Sequence, residues 1–149
     1  MAKKIASGAT HLILDIPVGP TVKIRHFKDA QTIADKFKFL AEKFNIKVAI
    51  DINQILEPAG HGVGPVLEAR DVMKVLEQKK DRPLLLEAKA LRLAGKLLDL
   101  CLESHQTKTL TNGDEIAKSI LSSGQALVKM KEIIKIQGEI GRASCRERV

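Results

Sequence analysis

A chain of 149 residues has the size of one ordinary domain, and 44% hydrophobic with 29% charged residues is the balance of a globular fold in water. The longest apolar stretches, such as residues 12–14 and 84–86, fall far short of the roughly 20 residues that span a bilayer, so no membrane partner is expected. A formal charge of +7 raises nucleic acid as a partner, but basic residues interleaved with acids, as in Glu68-Ala69-Arg70-Asp71, describe a solvated surface, and no nucleic acid is expected.

Residues 1–8 read as the end of a helix, closed by Gly8 where a left-handed residue is needed. Leu12-Ile13-Leu14-Asp15-Ile16 reads as a short strand, stopped by Pro17-Val18-Gly19-Pro20. Apolar on both faces, it suits a parallel strand covered by helices on each side. Residues 29–45 carry the clearest helical period, with Ala30, Ile33, Ala34, Phe37, Leu40, Ala41 and Phe44 on one face. A second strand follows at residues 47–52, which makes a βαβ unit. Residues 56–64 form a glycine-rich loop, and Pro65 opens a helix to about Gln78. Arg82-Pro83 breaks the chain before a helix over residues 84–103. Residues 107–113 are turn-forming, and one last helix over residues 114–137 is expected, capped by Asp114. The fold class is α/β, with helices in excess of strands.

The final residues, from Ile140 to Val149, show no helical period and resemble one reading frame of a sequencing adapter. Residues 140–149 are therefore read as a non-native tail, whose three arginines against one glutamate inflate the positive charge. The two cysteines, Cys101 and Cys145, have neither disulfide-framework nor metal-ligand spacing, and a reducing cytoplasm is the expected compartment.

Residue chemistry by itself points to few sites. Gly60-His61-Gly62-Val63-Gly64 can present backbone N–H groups to an anion, or serve a turn that needs glycine, and it lacks the dinucleotide and Walker spacings. Lys3 and Lys4 read as cations in a pocket or as solvated residues near a terminus. Asp15 and Asp51 sit toward strand ends, where open α/β sheets place their sites, or act as turn and cap residues.

Taken together, five segments resemble a known family in order and spacing. They are Met1-Ala2-Lys3-Lys4-Ile5-Ala6-Ser7-Gly8-Ala9, Leu14-Asp15-Ile16-Pro17-Val18-Gly19, Gly62-Val63-Gly64-Pro65-Val66-Leu67-Glu68-Ala69-Arg70-Asp71, Ser123-Gly124-Gln125-Ala126-Leu127 and Gln137-Gly138. The chain resembles the thymidine/pyrimidine-nucleoside phosphorylases, over roughly residues 1–139. The prolines after the first strand and before the third helix are most similar to the archaeal-type branch, which includes adenosine monophosphate phosphorylase and proteins named "putative thymidine phosphorylase".

The resemblance implies an internal fragment of a two-lobed enzyme: residues 1–8 as the end of the helical lobe and hinge, residues 9–139 as part of the large α/β domain. It implies cleavage of a nucleoside by inorganic phosphate to free base and pentose 1-phosphate, in a homodimer, with phosphate as co-substrate and no organic cofactor. Lys3 matches the family's catalytic, base-contacting lysine, with Lys4 as its neighbour; Lys23 stands where bacterial members place an aromatic that lines the base pocket. Ala59, Gly62 and Asp71 match two loop carbonyls and a glutamate that hold a monovalent cation in some members, with aspartate one methylene shorter than that glutamate. The fragment alone is expected to be inactive. A non-catalytic α/β binding module with a basic face is the reading from another class.

Overall fold

The computed structural model describes residues 2–104 and 112–138. The tail 140–149, Cys145 and most of the turn at 107–113 lie outside the described residues. Among the described residues six helices and two strands follow in the order α1 (Ala2–Ala6), β1 (His11–Val18), α2 (Phe27–Lys43), β2 (Lys47–Gln54), α3 (Pro65–Leu76), α4 (Leu84–Ser104), α5 (Gly113–Ser122) and α6 (Gln125–Ile136). β1 and β2 pair in parallel with α2 as the crossover, so the expected βαβ unit is present and helices outnumber strands.

β1 runs through Pro17 instead of stopping at it. The carbonyls of Thr10 and Val18 accept from the N–H groups of Lys47 and Ile55, so the even-numbered residues of β1 turn their backbone toward β2. Pro17 is odd-numbered and faces the other edge, where its missing N–H costs no ladder bond. The same alternation sorts the side chains. Ile16 and Val18 are buried against Ala30 and Ala34 of α2, with Leu14, Ile50 and Ile52 packed around them. Alanines on the sheet-facing side of α2 let the helix lie close to the strands, which is why a core with so few aromatics can close.

The opposite face of the sheet is mixed, with Ile13 and Ala49 beside a pair of aspartates. Asp15 and Asp51 point there and bond to residues of α4. Helices therefore cover both faces as expected, but β1 is not apolar on both: the α4 side combines Ile13 with the charged Asp15.

Helix ends follow local chemistry. α2 stops at Lys43, and Asn45 takes the left-handed conformation at φ 53°. The N–H of Asn45 then bonds the carbonyl of Glu42 and that of Ile46 bonds Ala41, the paired bonds of a Schellman turn, with Ile46 and Ala41 both buried beside it. The single final helix expected over residues 114–137 is two helices. Gly124, at φ 78°, breaks the run after Ser123, and the cap of α5 is not Asp114 but Asn112, whose side chain accepts from the N–H of Glu115.

α4 and α5 meet at glycines. A side chain on Gly113 would be built into the carbonyl of Gly95, and one on Gly95 into the side chain of Asp114. The N–H of Gly113 donates to Asp99 of α4 at 2.6 Å, so the start of α5 is held by a carboxylate of its neighbour as well as by its own cap.

Candidate functional site

Two polar constellations lie around the carboxyl ends of the parallel strands, the place where open α/β sheets bind ligands. The first is the loop between β2 and α3. Asp71 of α3 is 5% exposed, and its Oδ2 accepts from the backbone N–H groups of His61 (2.7 Å) and Gly62 (2.8 Å). The N–H of Gly62, with burial opposing it and the His61 N–H adding to it, holds the Asp71 carboxyl below its ordinary value. The amides of this glycine-rich stretch face the chain's own carboxylate, which is the structural reading of the loop. Gly62 and Asp71 are thus brought together, but through a hydrogen-bond donor. A monovalent cation needs converging oxygens, and an oxygen already facing two N–H groups does not fit that donor set.

The second is the aspartate-bearing face of the sheet. Asp15 and Asp51 are direct cross-strand neighbours, an arrangement that repels unless it is compensated. Asn53 donates to both. Lys89, Arg92 and Lys96, spaced along one side of α4, complete the network: Lys89 meets Asp15 at 2.6 Å, while Arg92 and Lys96 meet opposite oxygens of Asp51 at 3.0 and 2.5 Å. Neither aspartate is a turn or cap residue. The sequence signal was the period-two alternation of Asp15, Asp51 and Asn53 against Leu14, Ile16, Ile50 and Ile52, set beside basic residues at helical spacing in α4.

Burial, at 4% exposure, by itself pushes the Asp51 carboxyl up, but hydrogen bonds from Lys96 and Arg92 together with their charges outweigh it and hold the group below its ordinary value. Its folded pKa then lies below the unfolded one, near ~3.9 for aspartate. Stability from this network is present above that value and is lost as pH falls through the folded one. Urea unfolding of the chain is expected to shift to lower midpoints mainly below about pH 4, and Asp51→Asn to lower the neutral-pH midpoint while flattening that acid loss. An unchanged acid slope in the variant would remove Asp51 from the account.

The matched lysines are placed differently. Lys3 and Lys4 are exposed on the five-residue α1 that leads into β1. Lys23 is exposed in the link that leaves the carboxyl end of β1. Among the described residues, no hydrogen bond or ion pair ties these three to the Asp71 loop. Two cavities open at the carboxyl ends of the strands. One of about 330 Å³ is floored by Asn53, Lys89 and Arg92 and rimmed by Glu57, Pro58 and Ala59. The other, about 440 Å³, is lined by Gly19, Arg25, His26 and Gln54. Arg25 and His26 were not singled out in the sequence. With Lys23 and Lys28 they form a run of exposed basic residues, and none of Lys23, Arg25 and Lys28 has an ion-pair partner among the described residues.

No helix among the described residues is long and apolar enough to cross a membrane. The molecule is thus an α/β unit with polar chemistry at the ends of its parallel strands. No family model matches the chain. By sequence it is similar to proteins named "Putative thymidine phosphorylase". That of Methylococcus capsulatus is 44% identical over 138 residues, 93% of this chain and 26% of that protein. The one from Albidiferax ferrireducens is 44% identical over 140 residues, and that of a Bradyrhizobium species 42% over 139, with the same shares covered. Identity of this order across nearly the whole chain places it in the family of these proteins, and it spans about a quarter of the length of the curated relatives it matches.

Proposed function

We propose that the intact gene product catalyses phosphorolysis of thymidine or a related pyrimidine nucleoside, giving the free base and a (deoxy)ribose 1-phosphate, and that this chain supplies part of its large α/β domain together with one substrate-contacting lysine from the end of the helical lobe. The observation that supports this most is the 44% identity over 138 residues to a protein named "Putative thymidine phosphorylase". Cleavage of the N-glycosidic bond leaves electron density on the departing base, and a cation placed there stabilises the transition state more than the ground state. Lys3 is assigned that role and Lys4 a neighbouring one. Phosphate and nucleoside are the ligands, the intact protein is a homodimer in the cytoplasm, and no organic cofactor takes part. The 149-residue chain by itself, lacking most of its relatives' length, is proposed to be inactive.

A second reading, phosphorolysis of adenosine monophosphate, is favoured by one feature of the fold. Arg25 and His26 line the cavity of about 440 Å³ at the carboxyl end of β1, and the neighbouring exposed Lys23 and Lys28, like Arg25, have no ion-pair partner among the described residues. A phosphomonoester complements such cations better than an uncharged sugar does. Product assays with thymidine and with nucleoside monophosphates, run side by side on the intact protein, separate the two: release of thymine supports the first, release of adenine from the monophosphate the second. Salt-dependent nucleic-acid binding with no phosphorolysis of either would support the non-catalytic binding module instead.

A further inference from the structure

The loop between β2 and α3 is where a resemblance-based expectation and the geometry part company. The positions matched to a cation site are Ala59, Gly62 and Asp71, yet the atoms that converge on Asp71 are hydrogen-bond donors. Its Oδ2 takes the N–H groups of two successive residues, His61 at 2.7 Å and Gly62 at 2.8 Å. Gly60 presses on the same oxygen closely enough that a Cβ there would come within 2.8 Å of it. Two residues further on, the N–H of Gly64 donates to Glu68, one turn earlier on α3. Three amides of the loop are therefore held by two carboxylates presented from a single helix. Successive N–H groups aimed at one oxygen form a small positive concavity, and a cation placed at that oxygen would face the same positive ends.

We infer that Asp71 closes this loop by itself, so that the loop takes its shape without a monovalent cation. A bound cation organises a loop by drawing carbonyls inward; a buried carboxylate organises it by drawing amides inward, and both leave a charge neutralised by backbone dipoles. The shorter side chain is part of the device. One methylene fewer than glutamate keeps the carboxylate close to α3, so the backbone must come to it, and glycine at positions 60 and 62 permits that approach. A side chain at Gly62 would be driven into the start of α3 at Leu67. The loop so fixed supplies Glu57, Pro58 and Ala59 to the rims of two cavities, of about 330 and 540 Å³. Asp71 is a positioning residue for that rim.

The test reads the two amides directly. Proton–nitrogen spectra of the 149-residue chain are recorded in potassium chloride and in tetramethylammonium chloride at equal ionic strength. The His61 and Gly62 amides are expected to exchange slowly with solvent in both salts. They should also follow the protonation of Asp71 in an acid titration, with a midpoint below the ordinary aspartate value. Asp71→Asn should move both signals and speed their exchange by roughly tenfold or more. A saturable, potassium-specific shift of either signal overturns the inference, and so do amides that exchange at the open-chain rate whatever the salt. None of these readouts involves turnover, so the result stands or falls separately from the phosphorolysis proposed above.

Discussion

Replacing Lys3 by Met in the intact protein is expected to lower kcat for thymidine phosphorolysis by roughly 10²- to 10³-fold, the loss that follows removal of one group aimed at developing negative charge. The reasoning is differential. The glycosidic bond of the bound nucleoside carries little charge on the base, whereas the departing base carries a substantial share of it, so an ammonium group contributes far more at the transition state. The loss should thus fall on kcat and on kcat/KM alike, with KM little changed. Met keeps the length and removes the charge; Arg keeps the charge but spreads it over a planar fork, and should restore only part of the rate. Because Lys3 is exposed on a five-residue helix, Lys3→Met should leave the thermal midpoint where it was, which separates a chemical loss from an unfolded protein. A variant that retains full turnover removes Lys3 from the mechanism.

Gly113→Ala is expected to be among the most damaging single methyls in the fold. Its Cβ would overlap the carbonyl of Gly95 and come within 2.8 Å of the Asp99 carboxylate that accepts the Gly113 N–H. A backbone carbonyl inside a helix cannot rotate away, so α5 must move off α4 as a body and take its bond to Asp99 with it. Overpacking of this kind costs about 1–3 kcal/mol, occasionally more, and the lost hydrogen bond to the half-buried Asp99 carboxylate adds to it. Differential scanning calorimetry of the chain should show a midpoint several degrees lower. Gly8→Ala is the control: that position has φ 69° but open space around it, so backbone strain alone should lower the midpoint by less. Equal losses for the two variants would mean that the glycine contact between α4 and α5 does not limit packing.

How much of this was legible in the residues follows from the range of each interaction. α2, β2 and the opening of α3 at Pro65 were readable because their signals are local: an apolar stripe, a β-branched run, a proline in the first turn. The family relationship was readable from blocks such as Gly62–Asp71, and it covers nearly all of the chain. The sequence alone stops β1 at Pro17, short of its end at Val18; whether proline ends a strand depends on which edge its nitrogen faces, and that is set by the partner strand. The break between α5 and α6 did have a local signal in Ser123-Gly124, masked by an apolar spacing that continues across it. The network of Asp15, Asp51 and Asn53 with Lys89, Arg92 and Lys96 joins the strands to α4 across 41 to 74 positions, and no short window contains both halves of it. The Asp71 loop was half visible: the glycines marked it, but the identity of the anion they cradle required the fold. Nothing in the sequence separates Lys23 from Arg25 and His26; only the fold makes the latter two line the cavity beside β1.

The most direct measurement is the phosphate dependence of thymine release from thymidine by the intact gene product. The account predicts release that rises with inorganic phosphate, saturates, and yields one deoxyribose 1-phosphate per thymine. Thymine released at the same rate in phosphate-free buffer, with free deoxyribose as the other product, would contradict it, because water would then be the acceptor.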